Sequence, residues 1–298
     1  MNQSTEQKTD NEITDVTDIV NNEEKKSSNT GDGRLIVAPC NNLELNAPIR
    51  WLKLAWKDFK NAPKVSLTWG LIIALVSLVV ALMAYKLGKF ALLAVLLSGF
   101  TYVAPLLGVA LYSVSRGLEM GKEPTFAYSL KFVKRLIPHA SAFFIVQLVI
   151  LMIWSRSGMI ATAFFPTTEY DQTLFLQALK SGQLLFSGEG SVFLHFLLLG
   201  SVFGSIFATL TFFITAVSLP MLADKEVDTI TVFLSSINAC LRNKWTMLIW
   251  GILICIFLAI GMLTLFIGYI VIMPLLGYGA WHAYRETIDA SAWKAREI

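Results

Sequence analysis

The chain has 298 residues, 55% of them hydrophobic and only 15% charged, with a formal net charge of +3. A soluble domain carries about a quarter charged residues, so the balance excludes an ordinary soluble globular protein. The apolar residues lie in long uninterrupted blocks, which marks an integral membrane protein.

Residues 1–45 hold nine acids against four bases and almost no large apolar cluster. Such a segment cannot bury enough surface to offset its ordering entropy, and it is expected to be a disordered acidic tail. It has no basic n-region followed by an apolar h-region, so no cleaved signal peptide is expected. A membrane domain follows over 46–288, and 289–298 reads as a short C-terminal tail.

The membrane domain opens on "RWLKLAWKDFKNAP". On a helix Leu52, Ala55, Trp56 and Phe59 make an apolar face, while Arg50, Lys53, Lys57 and Lys60 make a basic one. This pattern predicts an interfacial helix with its apolar face at the headgroup boundary and its lysines toward anionic lipid. Similar segments precede the third span, with Phe126, Leu130, Val133 and Ile137 opposite Lys131, Lys134 and Arg135, and the fifth, with Ile230, Phe233, Ile237 and Leu241 on one side. The same faces would also serve simply to cap the bundle.

Apolar runs fall at about 65–85, 89–112, 139–156, 192–222, 245–264 and 266–284. The last two nearly fuse into about 40 residues, too long for one span, so the chain must fold back near Gly261–Gly268. The fold class expected is therefore all-α, with six transmembrane helices arranged as three parallel hairpins, each preceded by an amphipathic helix. Placing both termini in the cytoplasm leaves only Lys86, Lys89, Arg156 and Lys180 in outer loops, out of 24 lysines and arginines. That is a strong positive-inside bias, as expected of a bacterial inner-membrane protein. The long outer loop, about 157–191, has no readable fold.

Two phrases support the repeat. "PLLGVALYSVSR" starts at Pro105 and "PLLGYGAWHAYR" at Pro274, with Gly108 and Gly277, Tyr112 and Trp281, and Arg116 and Arg285 at matching offsets; Tyr284 directly precedes the second arginine. The outgoing spans of the first and third units share Trp69–Gly70 and Trp250–Gly251, and the returning span of the middle unit carries Pro220. A proline in a span frees a carbonyl and bends the helix.

The phrases "AWKDFKNAP", "GFTYVAPLLGVALYSVSRGLEMGKEP", "AVSLPMLADKEVD" and "PLLGYGAWHAYRE" together resemble a family of uncharacterised bacterial integral membrane proteins, a domain of unknown function with some members labelled cytochrome c oxidase subunits. The resemblance covers about residues 50–288. It implies a six-span inner-membrane protein and no established activity. Members commonly end the last span on a phrase resembling Trp281-His282-Ala283-Tyr284-Arg285, and often have a histidine where this chain has Tyr278.

The oxidase label fails on residue count, because a haem–copper core needs several intramembrane histidines and this chain has three, His139, His195 and His282. His139 and His282 lie at comparable depth and are the only pair that could hold a haem; a polar anchoring role for both is the simpler reading. No charge lies at mid-membrane, which weighs against proton coupling; Gln147 is the one strongly polar amide deep in a span. No GxSxG, HExxH or phosphate loop occurs. Cys40, Cys240 and Cys255 form no CxxC pair and read as inert thiols. No metal, cofactor or nucleic-acid partner is expected.

Arg116 and Arg285 make the strongest site expectation. Both end inward-running spans, where a guanidinium fork suits a lipid phosphate or a neighbouring carboxylate. The expected function is that of a non-enzymatic membrane protein with anionic-lipid contacts, accessory to a membrane complex such as a respiratory one or assembled as a homo-oligomer. A transporter or channel for a small neutral or amphiphilic solute, and a haem-binding redox subunit, are the alternatives.

Overall fold

A computed structural model of the chain describes residues 36–86, 108–163, 202 and 204–297. Among them the regular structure is helical, and two isolated bridges, Cys40–Ile288 and Lys225–Ala295, stand in place of any sheet. In chain order the helices are α1 (Ala47–Asn61), α2 (Pro63–Lys86), α3 (108–119), α4 (Phe126–Ala163), α5 (204–215), α6 (Ser218–Asp224), α7 (Thr229–Arg242), α8 (Lys244–Leu263) and α9 (Tyr269–Thr287).

Four stretches are long and apolar enough to cross a membrane: Pro63–Met83, Phe126–Trp154, Gly204–Asp224 and Lys244–Leu263. They coincide with the first, third, fourth and fifth expected spans. Most of the second, with Pro105, lies outside the described residues, which rejoin it as α3. Of the outer loop at 157–191, the first residues continue α4 to Ala163 and the rest lie outside the described residues. The sixth expected span falls on α9, which is not among those four stretches; its side chains enter three apolar clusters of the described residues, Trp281 and Tyr284 in one, Tyr269, Ile272 and Met273 in another, Ala283 in the third.

Local chemistry sets the boundaries. Pro63 disfavours helical backbone at Ala62 and then sits at the first position of α2, where its missing N–H costs nothing. Asp228 caps α7, its carboxylate accepting from the Thr231 N–H at 2.9 Å and from the Thr231 hydroxyl at 2.6 Å. The α8–α9 connection turns at residues 264–268, inside the interval expected from the fused apolar run. Leu265 and Phe266 take left-handed backbone there (φ 51° and 67°), stabilised as the Phe266 N–H reaches the Gly261 carbonyl at 2.8 Å.

Several expectations are corrected. The 1–45 tail boundary is too late: from Ala38 onward the chain packs into the protein. The Ala38 N–H donates to Ser235 Oγ (2.9 Å), the Asn41 N–H to the Thr287 carbonyl (2.9 Å), and the Leu43 N–H to Asn243 Oδ1 (2.8 Å). Nor is 289–298 a free tail. The Glu226 N–H donates to the Lys294 carbonyl and the Arg296 N–H to that of Asp224, and Trp293 joins the core.

The amphipathic elements bury one side each and leave part of the expected apolar stripes outside. In α1 the enclosed residues are Trp51, Ala55, Asp58 and Phe59, while Trp56 stays outside under the Lys60 ammonium, 5.4 Å from its ring centre. In the first half of α4, Ser129, Phe132 and Leu136 are buried, whereas Phe126, Leu130 and Ile137 are exposed. That half and the span form one continuous helix through Pro138, not an interfacial helix followed by a separate span. In α7 the small residues Ser235, Ser236 and Ala239 are buried while Ile230 and Leu241 are exposed. The outward apolar side is the side lipid would cover.

Ring contacts tie the elements together in a regular way. Trp69 of α2 lies 4.9 Å from Phe126 at the start of α4, Phe143 of α4 lies 5.5 Å from Phe233 of α7, and Trp250 of α8 lies 5.5 Å from Trp51 of α1. Such pairs contribute about 0.5–1.5 kcal/mol each beyond area burial.

Candidate functional site

Polar side chains concentrate where α3, α6 and α9 end. Asp224, the last residue of α6, is at the centre. Arg116 Nε from α3 lies 3.4 Å from its Oδ1; Arg285 from α9 lies 3.6 Å from its Oδ2, and the Tyr284 hydroxyl donates to Oδ2 at 2.9 Å. The phrase carried twice by the chain thus brings both of its arginines to one carboxylate. Glu119, one turn beyond Arg116, takes the Trp281 indole N–H at 2.9 Å and lies 3.4 Å from Arg285. Arg116 is enclosed: it donates to the Arg296 carbonyl at 2.7 Å and sits 5.7 Å over the Phe132 ring. Arg296 in turn donates to the carbonyls of Leu222 and Lys225.

The shared phrase also packs on itself. Tyr112 and Trp281, at matching offsets, stack at 6.5 Å. Gly277 lets α9 press against α3, since a Cβ there would stand 2.8 Å from Leu111 Cβ; at Gly108 the nearest atom is the Tyr112 hydroxyl oxygen at 3.0 Å. Pro220 and Pro274 lie buried inside their helices.

A second cluster joins α1, α3 and α9. Asp58 Oδ2 accepts from Ser115 Oγ at 2.7 Å and from His282 Nε2 at 2.8 Å. Both donors meet the same carboxylate oxygen, so neither activates the other, and the trio lacks the serine–histidine contact that a nucleophile needs. Close by, Ser66 gives its proton to the Ala62 carbonyl and accepts from the Tyr278 hydroxyl at 2.6 Å. Tyr278 is thereby a buried brace between α9 and α2.

The third cluster lies at the N-terminal end of α1. Arg50 forks onto Glu286, and the Trp51 indole donates to the same carboxylate at 2.9 Å. Partial burial pushes the Glu286 carboxyl up, but the Arg50 and Trp51 bonds outweigh it and hold the group below the usual carboxylate range.

The expected site residues are distributed as follows. Arg116 and Arg285 come together on Asp224. Lys53, Lys57 and Lys60 are exposed on α1 and outside all three clusters. His139 is exposed on α4, whereas His282 is enclosed and engaged by Asp58, so the two expected haem ligands stand in different surroundings. Among the described residues no group of histidine, cysteine and acidic side chains could hold a metal ion. Cys40 and Cys240 are buried; burial pushes the Cys240 thiol up to about 12 and raises that of Cys40. Gln147 is buried in α4 with neither amide atom hydrogen-bonded among the described residues.

Asp58, Asp224, Ser115 and Arg296 are the site residues that sequence reasoning missed. An acid between lysines in "KDFK" reads as a solvated helix pair, and "ADKEVD" reads as a polar loop. The signal that was available is weak: Asp224 directly follows the apolar end of a span, and Asp58 stands between Lys57 and Phe59 shortly before one.

Residues 92–224 match the model of a family described as "Predicted integral membrane protein (DUF2189)". It is the kind of family that the quoted phrases resemble, and the match runs from the second expected span to Asp224. No curated protein and no solved structure matches the chain. Together with the four long apolar helices, the match makes this an integral membrane protein.

Proposed function

We propose that the protein is a non-enzymatic inner-membrane protein that crosses the bilayer six times, as three helical hairpins with both termini cytoplasmic. Its polar end would hold anionic lipid and associate with other membrane components, a respiratory complex among them. The ring contacts support the three-unit reading. The outgoing span of the first unit meets the amphipathic segment of the second, the second meets the third, and the third returns to the first. The paired residues are also spaced alike, with 18, 17 and 17 residues from Trp51 to Trp69, Phe126 to Phe143 and Phe233 to Trp250. That is the pattern of a parallel repeat about an axis normal to the membrane. The middle unit contributes Asp224, four residues after Pro220, to the cluster that the other two reach with arginines eleven residues after their prolines.

The observation that carries the functional reading is the division of charge at this end. The enclosed acids and bases are occupied with one another, as in Arg116 with Asp224 and His282 with Asp58, while Lys53, Lys57 and Lys60 face outward beside Trp56. Among the described residues, the paired internal groups leave no free general base or nucleophile poised for chemistry. Outward lysines with an interfacial tryptophan suit an anionic membrane surface. A native mass spectrum of the gently solubilised protein tests this. Retained anionic phospholipid or a partner subunit is expected; an added haem mass would replace the reading with the redox one.

Gln147 favours the transporter as a second reading, because a buried amide without hydrogen-bond partners among the described residues suits a path for a small neutral solute. Solute flux in proteoliposomes that disappears in Gln147→Leu would select it.

A further inference from the structure

An open cleft of about 620 Å³ lies beside the Arg116 network, between the end of α3, the first turns of α4 and the C-terminal segment. Its charge is lopsided. Arg116, Lys122, Arg135, Lys294 and Arg296 line it, against Glu297 as the one acid in the lining. Among the described residues, Lys122 and Arg135 pair with no carboxylate; Lys294 has Glu297 at 3.5 Å, an exposed pair on one turn of chain.

We propose that this cleft is a phosphate-binding site, taking the phosphate of an anionic lipid headgroup or of a free phosphate compound. The backbone is built to present the cations. Gly121 takes a φ of 66° to end α3, and the Lys122 N–H closes back on the Gly117 carbonyl at 2.9 Å, which turns Lys122 toward the start of α4. Tyr128 lines the same wall. Arg116 and Arg296 are both enclosed, with Arg116 Nε facing Asp224 Oδ1 at 3.4 Å. Burial and, more weakly, the like charge of Arg116 lower the Arg296 pKa despite the opposing pull of Glu226, a cost that a bound dianion would relieve. A fork of guanidinium and ammonium groups on three separate elements matches the oxygens of a phosphate. The exposed apolar stripe Phe126, Leu130 and Ile137 on α4, the helix that supplies Arg135, offers a course for acyl chains if the phosphate belongs to a lipid.

The inference rests on the proposed function only for its lipid source, and the experiment separates the two. The full chain in mild detergent is compared with Lys122→Gln/Arg135→Gln and with Lys53→Gln/Lys57→Gln/Lys60→Gln. Each is exposed to phosphatidylglycerol followed by native mass spectrometry, and separately to inorganic phosphate with thermal unfolding. The cleft variant is expected to bind a tightly retained phosphatidylglycerol about thirtyfold more weakly, at about 1 kcal/mol for each of two cations, while the α1 variant loses only the weaker, surface-held lipid. A free-phosphate source would instead appear as a rise in unfolding temperature with inorganic phosphate, lost in the cleft variant, without lipid retention. If only the α1 variant loses lipid, the cleft assignment is overturned and the proposed function survives. Binding of neither probe to the unaltered chain overturns both.

Discussion

Arg116 and Arg285 end two helices that carry the same phrase, and they end in different places. Arg116 is 4% exposed, under the Arg296 carbonyl and over the Phe132 ring. The Arg285 side chain is 47% exposed, shared between Glu119 and Asp224 at 3.4 and 3.6 Å. The repeat explains why both point at Asp224. It does not explain the burial, which follows from a segment outside the repeat: the chain after α9 crosses back over Arg116 and leaves Arg285 open. Equivalent positions in a repeat share a backbone course, while the energy of each side chain depends on what asymmetric piece covers it.

The sharpest way to break the comparison is to remove what the two arginines share. Asp224→Ala should destabilise the protein by about 3–5 kcal/mol, because it leaves the enclosed Arg116 unpaired; thermal unfolding in detergent measures it, and a loss under about 1 kcal/mol would mean that water already solvates the arginine. Next comes the contrast itself. Arg116→Gln should cost about 1.5–3 kcal/mol as charged hydrogen bonds in an enclosed site are lost, and Arg285→Gln less than about 1 kcal/mol, since an exposed pair is screened. Equal effects would refute the asymmetry. A smaller contrast lies at the matching glycines. Gly277→Ala should cost about 1–2 kcal/mol by pressing on Leu111, and Gly108→Ala less, since it meets the tip of a tyrosine. The smallest effect is one of pH. The Glu286 carboxyl is held below its usual range, so its stabilisation is present at neutral pH and lost as the pH falls through that lowered range. Glu286→Gln should flatten the acid limb of the stability profile, and an unchanged limb would show that Arg50 and Trp51 do not favour the charged form.

The long apolar runs were legible because a helix in hydrocarbon must satisfy its backbone internally and cover itself with apolar side chains, which leaves an unmistakable block of sequence. The turn at residues 264–268 was legible for the same reason, as a block too long for one crossing. The inward faces of α1, α4 and α7 were not. Sequence reasoning assigned the large apolar stripe to the interface or to the bundle; the protein buries Ser129 and Phe132 in α4 and Ser235 and Ala239 in α7, leaving Leu130 and Ile230 outside. In a soluble protein that arrangement would be costly. Next to lipid it is not, since the hydrophobic effect no longer ranks one apolar face above another and small residues allow closer packing.

The candidate site was half legible. Arg116, Arg285 and His282 were singled out from the repeat and from their residue types. Their partners Asp224 and Asp58 were not, because an acid near lysines in a polar stretch looks solvated until a distant helix closes over it. The sequence by itself determined that this chain enters a membrane, where its apolar helices lie and that two of its helices end on equivalent arginines. Only the tertiary structure decided which carboxylate those arginines share and which of them is enclosed. Hydropathy is a property of a segment, whereas an ion pair between residues 108 positions apart depends on which helix ends meet and on what then covers them.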